Sequence, residues 1–324
     1  AIEAFSCDHP EVFWLSNTYK YYSDNSTTKV YLYSAFSAEK VADMQASLDT
    51  AIGKFLDEIP KGLSEFERER KIHDKLIKSC TYASGISNSQ DNPNAFTIYG
   101  ALIDNEAVCE GYTAAMQYLL KAVGIKSATV NGYSKNSRHQ WCLVSIEDKW
   151  YHLDATWDDR DDDESHIAYM YFNVTDSFIT IDHTLAKKYT ILSQEELDGA
   201  NEADGTIMFN LPLPQCNSED SSFINKSGAV INALDDNDTY DNAVSKLRDA
   251  ALRKDSCFYV SISPNLDFDK TVKSLFQEYP QEFFQYVADV NRSIDTDYKI
   301  SDDNLSISAS KEHRIVAVNL KYTN

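Results

Sequence analysis

Val108-Cys109-Glu110-Gly111-Tyr112 opens the stretch, ending near residue 157, that decides the fold of this chain. After Cys109, apolar residues recur at the spacing of one helix face, which predicts a buried helix over 111–123. Gly124 follows as the glycine that would end it. Cys109 therefore lies at a helix N-terminus, where unpaired backbone N–H groups favour a thiolate. Glu110 opposes that effect, so the cysteine needs a cationic partner to act as a nucleophile.

Two predicted strands supply this partner. Residues 139–146 and 149–156 have strand patterns, and Glu147-Asp148 forms the tight turn between them. A hairpin symmetric about the turn pairs Ile146 with Lys149. It also brings His139 and Asp154 to one face as diagonal neighbours, about 7–8 Å apart at the backbone. An aspartate that accepts from one imidazole nitrogen leaves the other nitrogen for a thiol. The pattern predicts Cys109, His139 and Asp154 as catalytic residues.

These residues also resemble a known family, the bacterial transglutaminase-like superfamily. The resemblance is carried by Val108–Tyr112, Gly124-Ile125, Val130-Asn131-Gly132, His139-Gln140-Trp141 and Trp150–Asp159, and it extends from about Ser64 to about Leu192. It implies a papain-like α+β core, in which the helix carrying the cysteine packs on an antiparallel sheet. It also implies a Cys-His-Asp triad, which falls on Cys109, His139 and Asp154.

Three aromatic residues are added to the predicted site. By resemblance, a tyrosine upstream of the cysteine lends its hydroxyl to the oxyanion hole, beside the backbone N–H of Cys109. That tyrosine is Tyr99, for which simple packing is an equally good explanation. Trp141 and Trp157 are predicted to line the cleft, although both are equally well explained as core residues.

The other histidines are predicted to lie outside the site. His152 is expected to face away from Asp154, while His73 on a helix and His183 in a later loop are expected to be structural. The acidic run at 158–164 lacks the spacing and central glycine of an EF-hand, which favours a solvated loop. We therefore expect no metal and no other cofactor.

The pattern of elements predicts more than one domain in the 324 residues. Residues 1–60 are predicted to form a flanking helix, hairpin and helix, and residues 61–200 the transglutaminase-like catalytic core. Residues 205–324 alternate between strand and helix patterns without a catalytic constellation. They are predicted to form a small accessory α+β domain, beginning with a strand over 206–211.

The amino-acid composition and the resemblance limit which binding partners and which cellular location are expected. The 51 acidic against 30 basic residues give a net charge of −21, which argues against nucleic acid and anionic membranes as partners. Apolar runs stay far below transmembrane length, and the six cysteines show neither zinc-site nor disulfide-scaffold spacing. No signal segment is visible. The resemblance leads us to expect an extracellular or cell-surface protein whose substrate is a protein or peptide, with the cell wall as one candidate source.

The predicted residues imply acyl transfer through a thioester. Water as the acceptor makes the chain a cysteine protease or amidase, whereas a lysine amine makes it a protein-glutamine gamma-glutamyltransferase that cross-links proteins. We favour hydrolysis, because water is always present and amine selection needs a shielded tunnel. A non-catalytic cell-surface binding module on the same scaffold remains as the alternative from a different class.

Overall fold

A computed structural model describes residues 2–24, 26–86, 89, 91–159, 167–188, 209–303 and 305–323 of the chain. The chain divides into two compact units. The first consists of residues 1–156 and 183–215, and the second of residues 157–182 and 216–324. Among the described helices, none combines the length and the apolar character that a membrane crossing requires. The domain limits drawn from the sequence stay predictions.

The described elements alternate between helices and short strands. The α-helices are α1 (Ile2–Asp8), α2 (Ala38–Asp57), α3 (Glu65–Ser79), α4 (Cys109–Ala122), α5 (Ala155–Asp158), α6 (Asp176–Ile179), α7 (Phe223–Ser227), α8 (Asn237–Arg253), α9 (Phe268–Phe276) and α10 (Glu282–Ser293). The strands are β1 (Leu15–Ser23), β2 (Thr28–Ser34), β3 (Thr81–Tyr82), β4 (Glu106–Ala107), β5 (Ser127–Ser134), β6 (Ser137–Ile146), β7 (Lys149–Leu153), β8 (Phe172–Val174), β9 (His183–Leu185), β10 (Lys187–Lys188), β11 (Phe209–Asn210), β12 (Ala229–Ile231), β13 (Cys257–Ile262), β14 (Lys299–Ile300), β15 (Ser306–Ser310), β16 (Ile315–Asn319) and β17 (Tyr322–Thr323).

In the first unit, α4 packs between α3 and the strands β5 and β6. Its apolar stripe is buried, and the α+β arrangement expected from the sequence is confirmed: a helix that begins at the cysteine lies on an antiparallel sheet. Gly124 follows the helix with φ +82°, a conformation that costs glycine little. α3 begins at the capping box that Ser64 and Glu67 form.

The four strands of this unit's central sheet lie in the order β7-β6-β5-β9. The β6–β7 register is the predicted one, with Ile146 opposite Lys149. Glu147 and Asp148 both have positive φ, the geometry of a two-residue hairpin turn that matches strand twist. The predicted extension of the second strand to residue 156 is wrong: β7 ends at Leu153, because the backbone turns into α5 at Ala155.

The second unit contains a mixed sheet in the order β12-β13-β16-β15, in which only the β12–β13 pair is parallel. Helices α8 to α10 share a core with this sheet, centred on Leu247, Phe258, Phe283 and Val316. The predicted strand over 206–211 is described only at 209–210, where it pairs with β10 in the first unit. The first strand of the mixed sheet along the chain is instead β12, which the sequence pattern did not predict.

Candidate active site

The structure places Cys109 as the first residue of α4, where its side chain is buried. Its Sγ donates a hydrogen bond to Oε2 of Glu110 at 3.0 Å. Burial raises the pKa of the Cys109 thiol well above its ordinary value, and the charge of Glu110 raises it further. The backbone N–H of Gln140 acts in the opposite direction, because it hydrogen-bonds the sulphur. Burial and Glu110 thus favour the protonated thiol of Cys109.

His139 and Asp154 form a buried pair in which Nε2 lies 2.5 Å from Oδ2. The second carboxylate oxygen of Asp154 accepts from the backbone N–H of Thr156 at 3.0 Å. Burial by itself would raise the pKa of Asp154, but the two nearby imidazoles outweigh it and hold this pKa below its ordinary range. Asp154 thus stays ionised at neutral pH, and His139 directs Nδ1 away from it. His139 directly precedes Gln140, whose backbone N–H hydrogen-bonds the Cys109 sulphur.

A second histidine contacts the same aspartate. His183, on β9, places Nε2 at 3.2 Å from Oδ2 of Asp154, and its side chain is fully buried. The expectation that His183 lies in a loop is wrong, because it begins strand β9. It arose because β9 joins the sheet beside β5, about fifty residues earlier in the chain, and the sequence carries no local signal for that pairing.

Trp141 covers this cluster. Its indole is 1% exposed and stacks on His139, with the ring centres 5.7 Å apart. Its Nε1–H donates to Nδ1 of His152 at 2.9 Å. The expectation that His152 faces away from Asp154 is wrong, because residues two apart in a strand lie on the same face. The two-residue alternation of side chains in a strand, which is visible in the sequence, assigns His152 and Asp154 to the same face.

The remaining predicted residues lie further out. Tyr99 packs its half-buried ring against Phe13 at 5.3 Å between centres, and burial followed by the charge of Asp104 raises the pKa of its hydroxyl. Trp157 belongs to the second unit, where its ring meets Tyr171 edge-on at 5.4 Å. The roles of Tyr99 in an oxyanion hole and of Trp141 and Trp157 in lining a cleft stay predictions.

A cavity of about 500 Å³ adjoins Glu110 and Gln140, the two residues that contact the cysteine sulphur. Residues of the N-terminal segment, from Glu3 to Thr18, also line it. A chain of hydrogen bonds joins Gln140 to this segment: Gln140 Nε2 donates to Asn131 Oδ1 at 2.9 Å, and Asn131 Nδ2 donates to Glu3 Oε1 at 3.0 Å.

The donor atoms of His139, Asp154 and His183 lie within 4.8 Å of one another, so these three residues could hold a metal ion. Nitrogen and carboxylate donors of this kind suit zinc. In the structure, however, Oδ2 of Asp154 already accepts from both imidazoles, which is the arrangement of a hydrogen-bonded cluster. In the acidic run at 158–164, residues 160–164 lie outside the described residues.

Part of the chain is similar to known proteins. Residues 54–155 match the family model of the transglutaminase-like superfamily. The chain is 26% identical over 113 residues to kyphoscoliosis peptidase of Mus musculus, and 27% identical over 125 residues to that of Homo sapiens. These matches cover 31% and 35% of this chain but only 17% and 18% of the two relatives. A solved structure described as a TGase is 14% identical, with a TM-score of 0.32, and covers 44% of this chain and 45% of that one.

Proposed function

We propose that the chain is a thiol-dependent acyl-transfer enzyme that hydrolyses peptide or amide bonds. Cys109 is the nucleophile, His139 the general base and Asp154 the group that orients the base. The observation that supports this proposal most strongly is the buried His139–Asp154 pair at 2.5 Å, located one residue from the backbone N–H that contacts the cysteine sulphur. A buried imidazole held by a carboxylate at this distance has a defined tautomer and orientation.

The reaction follows from these positions. Nδ1 of His139 takes the proton from the Cys109 thiol as Sγ attacks the acyl carbon, and the carbonyl oxygen becomes an oxyanion. The backbone N–H groups at the start of α4 stabilise that oxyanion, because they have no partner within the helix. His139 then gives its proton to the leaving amine, and a thioester remains on Cys109. Water attacks the thioester after losing a proton to His139, and the acid product leaves as the thiol re-forms.

Glu110 determines how the thiol is activated. Because its carboxylate accepts the S–H hydrogen bond and raises the thiol pKa, Glu110 favours the protonated thiol of Cys109. Proton transfer to His139 therefore accompanies the attack on the substrate, which is general-base catalysis. The pH dependence of the reaction rate of the Cys109 thiol reports on this proton transfer.

The substrate class is proposed to be a protein or peptide located outside the cell or on its surface. Two arguments support it: the curated relatives carry the name of a peptidase, and the net charge of −21 disfavours polyanionic partners. Hydrolysis is preferred to cross-linking because water needs no binding site of its own.

The test uses unfolded β-casein as the substrate, with and without a biotinylated alkyl amine. New peptide termini in mass spectra, lost in Cys109→Ala and reduced about 10²–10⁴-fold in His139→Ala, are the expected result. Cys257→Ala is the matched control, since it removes another buried thiol located on β13. Biotin incorporation without cleavage would assign the cross-linking reaction instead. Cleavage that persists in Cys109→Ala would refute the proposal.

A further inference from the structure

The second histidine on Asp154 has no role in a three-residue site. Oδ2 of Asp154 receives Nε2 of His139 at 2.5 Å and Nε2 of His183 at 3.2 Å. Both side chains are buried, and the pKa of Asp154 lies below its ordinary range, so its carboxylate only accepts hydrogen bonds at neutral pH. His183 must therefore carry its proton on Nε2 in order to make this contact.

His183 reaches this position because the strand between it and His139 carries a glycine there. His139 on β6 and Leu185 on β9 both pair with Gly132 on β5, which lies between them. Gly132 has no side chain, and a Cβ there would lie 2.6 Å from the ring of Trp141. The two imidazoles consequently approach across β5 to 5.4 Å between ring centres.

Trp141 fixes the second imidazole as well as the first. Its ring meets His183 nearly edge-on, at 5.2 Å between centres and 68° between planes, while its stacking on His139 is nearly parallel. One indole thus restrains both histidines that donate to Asp154. A histidine that only filled space in the core would not need its Nε2 aimed at the carboxylate oxygen that orients the base.

We infer that His183 is a positioning residue for the proposed acyl transfer: it holds the Asp154 carboxylate oriented toward His139, so the site works as a Cys-His-Asp-His unit. The inference rests on the proposed function. His183 does not touch the reacting atoms and acts only through Asp154. Its removal should therefore change how the Cys109 reaction depends on pH, and leave substrate binding unaffected.

Two variants separate positioning from packing. His183→Gln keeps an N–H donor at a similar reach, whereas His183→Leu fills a similar volume without a donor. The readout is the rate of iodoacetamide alkylation at Cys109, resolved by peptide mass spectrometry between about pH 5 and pH 9. Circular dichroism and thermal unfolding verify that each variant is folded.

The expected result is a rate within about threefold of wild type for His183→Gln and a loss of about tenfold or more for His183→Leu near pH 6. The acid limb of the Leu profile should move to higher pH, because Asp154 without this donor gains its proton more easily. His73→Leu is the matched control: His73 is also buried, and its Nδ1 lies 3.3 Å from a carboxylate oxygen of Asp74 on α3. Its profile should coincide with that of wild type.

A measurement on the unmodified protein applies even if His183→Leu does not fold. Proton–nitrogen correlation NMR of the imidazoles reports which ring nitrogen of His183 carries the proton. Protonated Nε2 near neutral pH is expected, and a tautomer with unprotonated Nε2 would overturn the inference. So would a folded Leu variant whose profile superimposes on wild type while His139→Ala slows the reaction. If His139→Ala itself has no effect, the proposed function fails, and the NMR result reports separately on the contact between His183 and Asp154.

Discussion

Replacing Glu110 by glutamine removes the charge nearest to the proposed nucleophile. Oε2 of Glu110 lies 3.0 Å from Sγ of Cys109, and the glutamine amide oxygen can still accept the S–H hydrogen bond. Two like charges about 3 Å apart repel by about 1.4 kcal/mol in bulk water and by about four times more at an effective dielectric of about 20. Glu110 is half-buried, so solvent screens part of this repulsion. The variant should therefore lower the pKa of the Cys109 thiol, because a neutral amide does not oppose the thiolate.

The expected gain in reactivity is smaller than the gain in thiolate. A thiolate of lower pKa is a weaker nucleophile, with a Brønsted coefficient of about 0.4–0.5, so the rate near pH 7 should rise about 3- to 15-fold. The assay is thiol–disulfide exchange with dipyridyl disulfide, and modification at Cys109 is quantified by peptide mass spectrometry. Glu106→Gln is the control, because Glu106 is an exposed glutamate on β4, three residues before the cysteine.

A rate in Glu110→Gln that equals or falls below that of wild type would refute the reasoning. It would mean that burial alone sets the thiol pKa, or that Glu110 assists the reaction directly. A similar acceleration in Glu106→Gln would mean that long-range charge controls the thiol, in place of the 3.0 Å contact.

Three further predictions concern the scaffold around the site. Gly132→Ala would put a Cβ 2.6 Å from the Trp141 ring, so it should lower the free energy of unfolding in urea by about 1–3 kcal/mol and slow alkylation of Cys109. The control Gly53→Ala meets nothing within 4 Å and should stay within about 1 kcal/mol of wild type. Equal losses in the two variants would contradict this prediction. The depressed pKa of Asp154 contributes stability that is present above its unfolded value of about 3.9 and is lost as pH falls. The free energy of unfolding of Asp154→Asn should therefore decline less steeply below about pH 4 than that of wild type. Parallel curves of unfolding free energy against pH for the two proteins would contradict this prediction. Ser64→Ala breaks the capping box of α3 and should cost about 0.5–2 kcal/mol in the same assay, while an unchanged midpoint would show that the cap is dispensable.

The sequence was most informative where the interactions are local. The turn at Glu147-Asp148 determines the β6–β7 register, and side-chain alternation from that turn places His139 and Asp154 on one face. The helix that begins at Cys109 follows in the same way from its apolar period and the glycine that ends it. These elements required only neighbouring residues, so their pattern was visible in the chain.

The parts that escaped prediction depend on distant pairings or on side-chain direction. His183 reaches Asp154 only because β9 pairs with β5. The segment 183–185 is too short for its residue pattern to predict that pairing. The sequence showed that Glu110 opposes a thiolate, but not that its carboxylate turns to accept the S–H hydrogen bond, since that depends on a rotamer. The end of β7 at Leu153 was missed because the change of direction before α5 carries no glycine or proline.

The measurement that tests the central claim most directly is the pH profile of iodoacetamide alkylation at Cys109 in wild type and in His139→Ala. If the imidazole held by Asp154 is the base for the thiol, the His139→Ala rate should fall by about tenfold or more between about pH 6 and pH 8, with the fold unchanged by circular dichroism. Profiles that superimpose would contradict the account, and would identify Cys109 as a buried structural thiol on a transglutaminase-like scaffold that serves in binding.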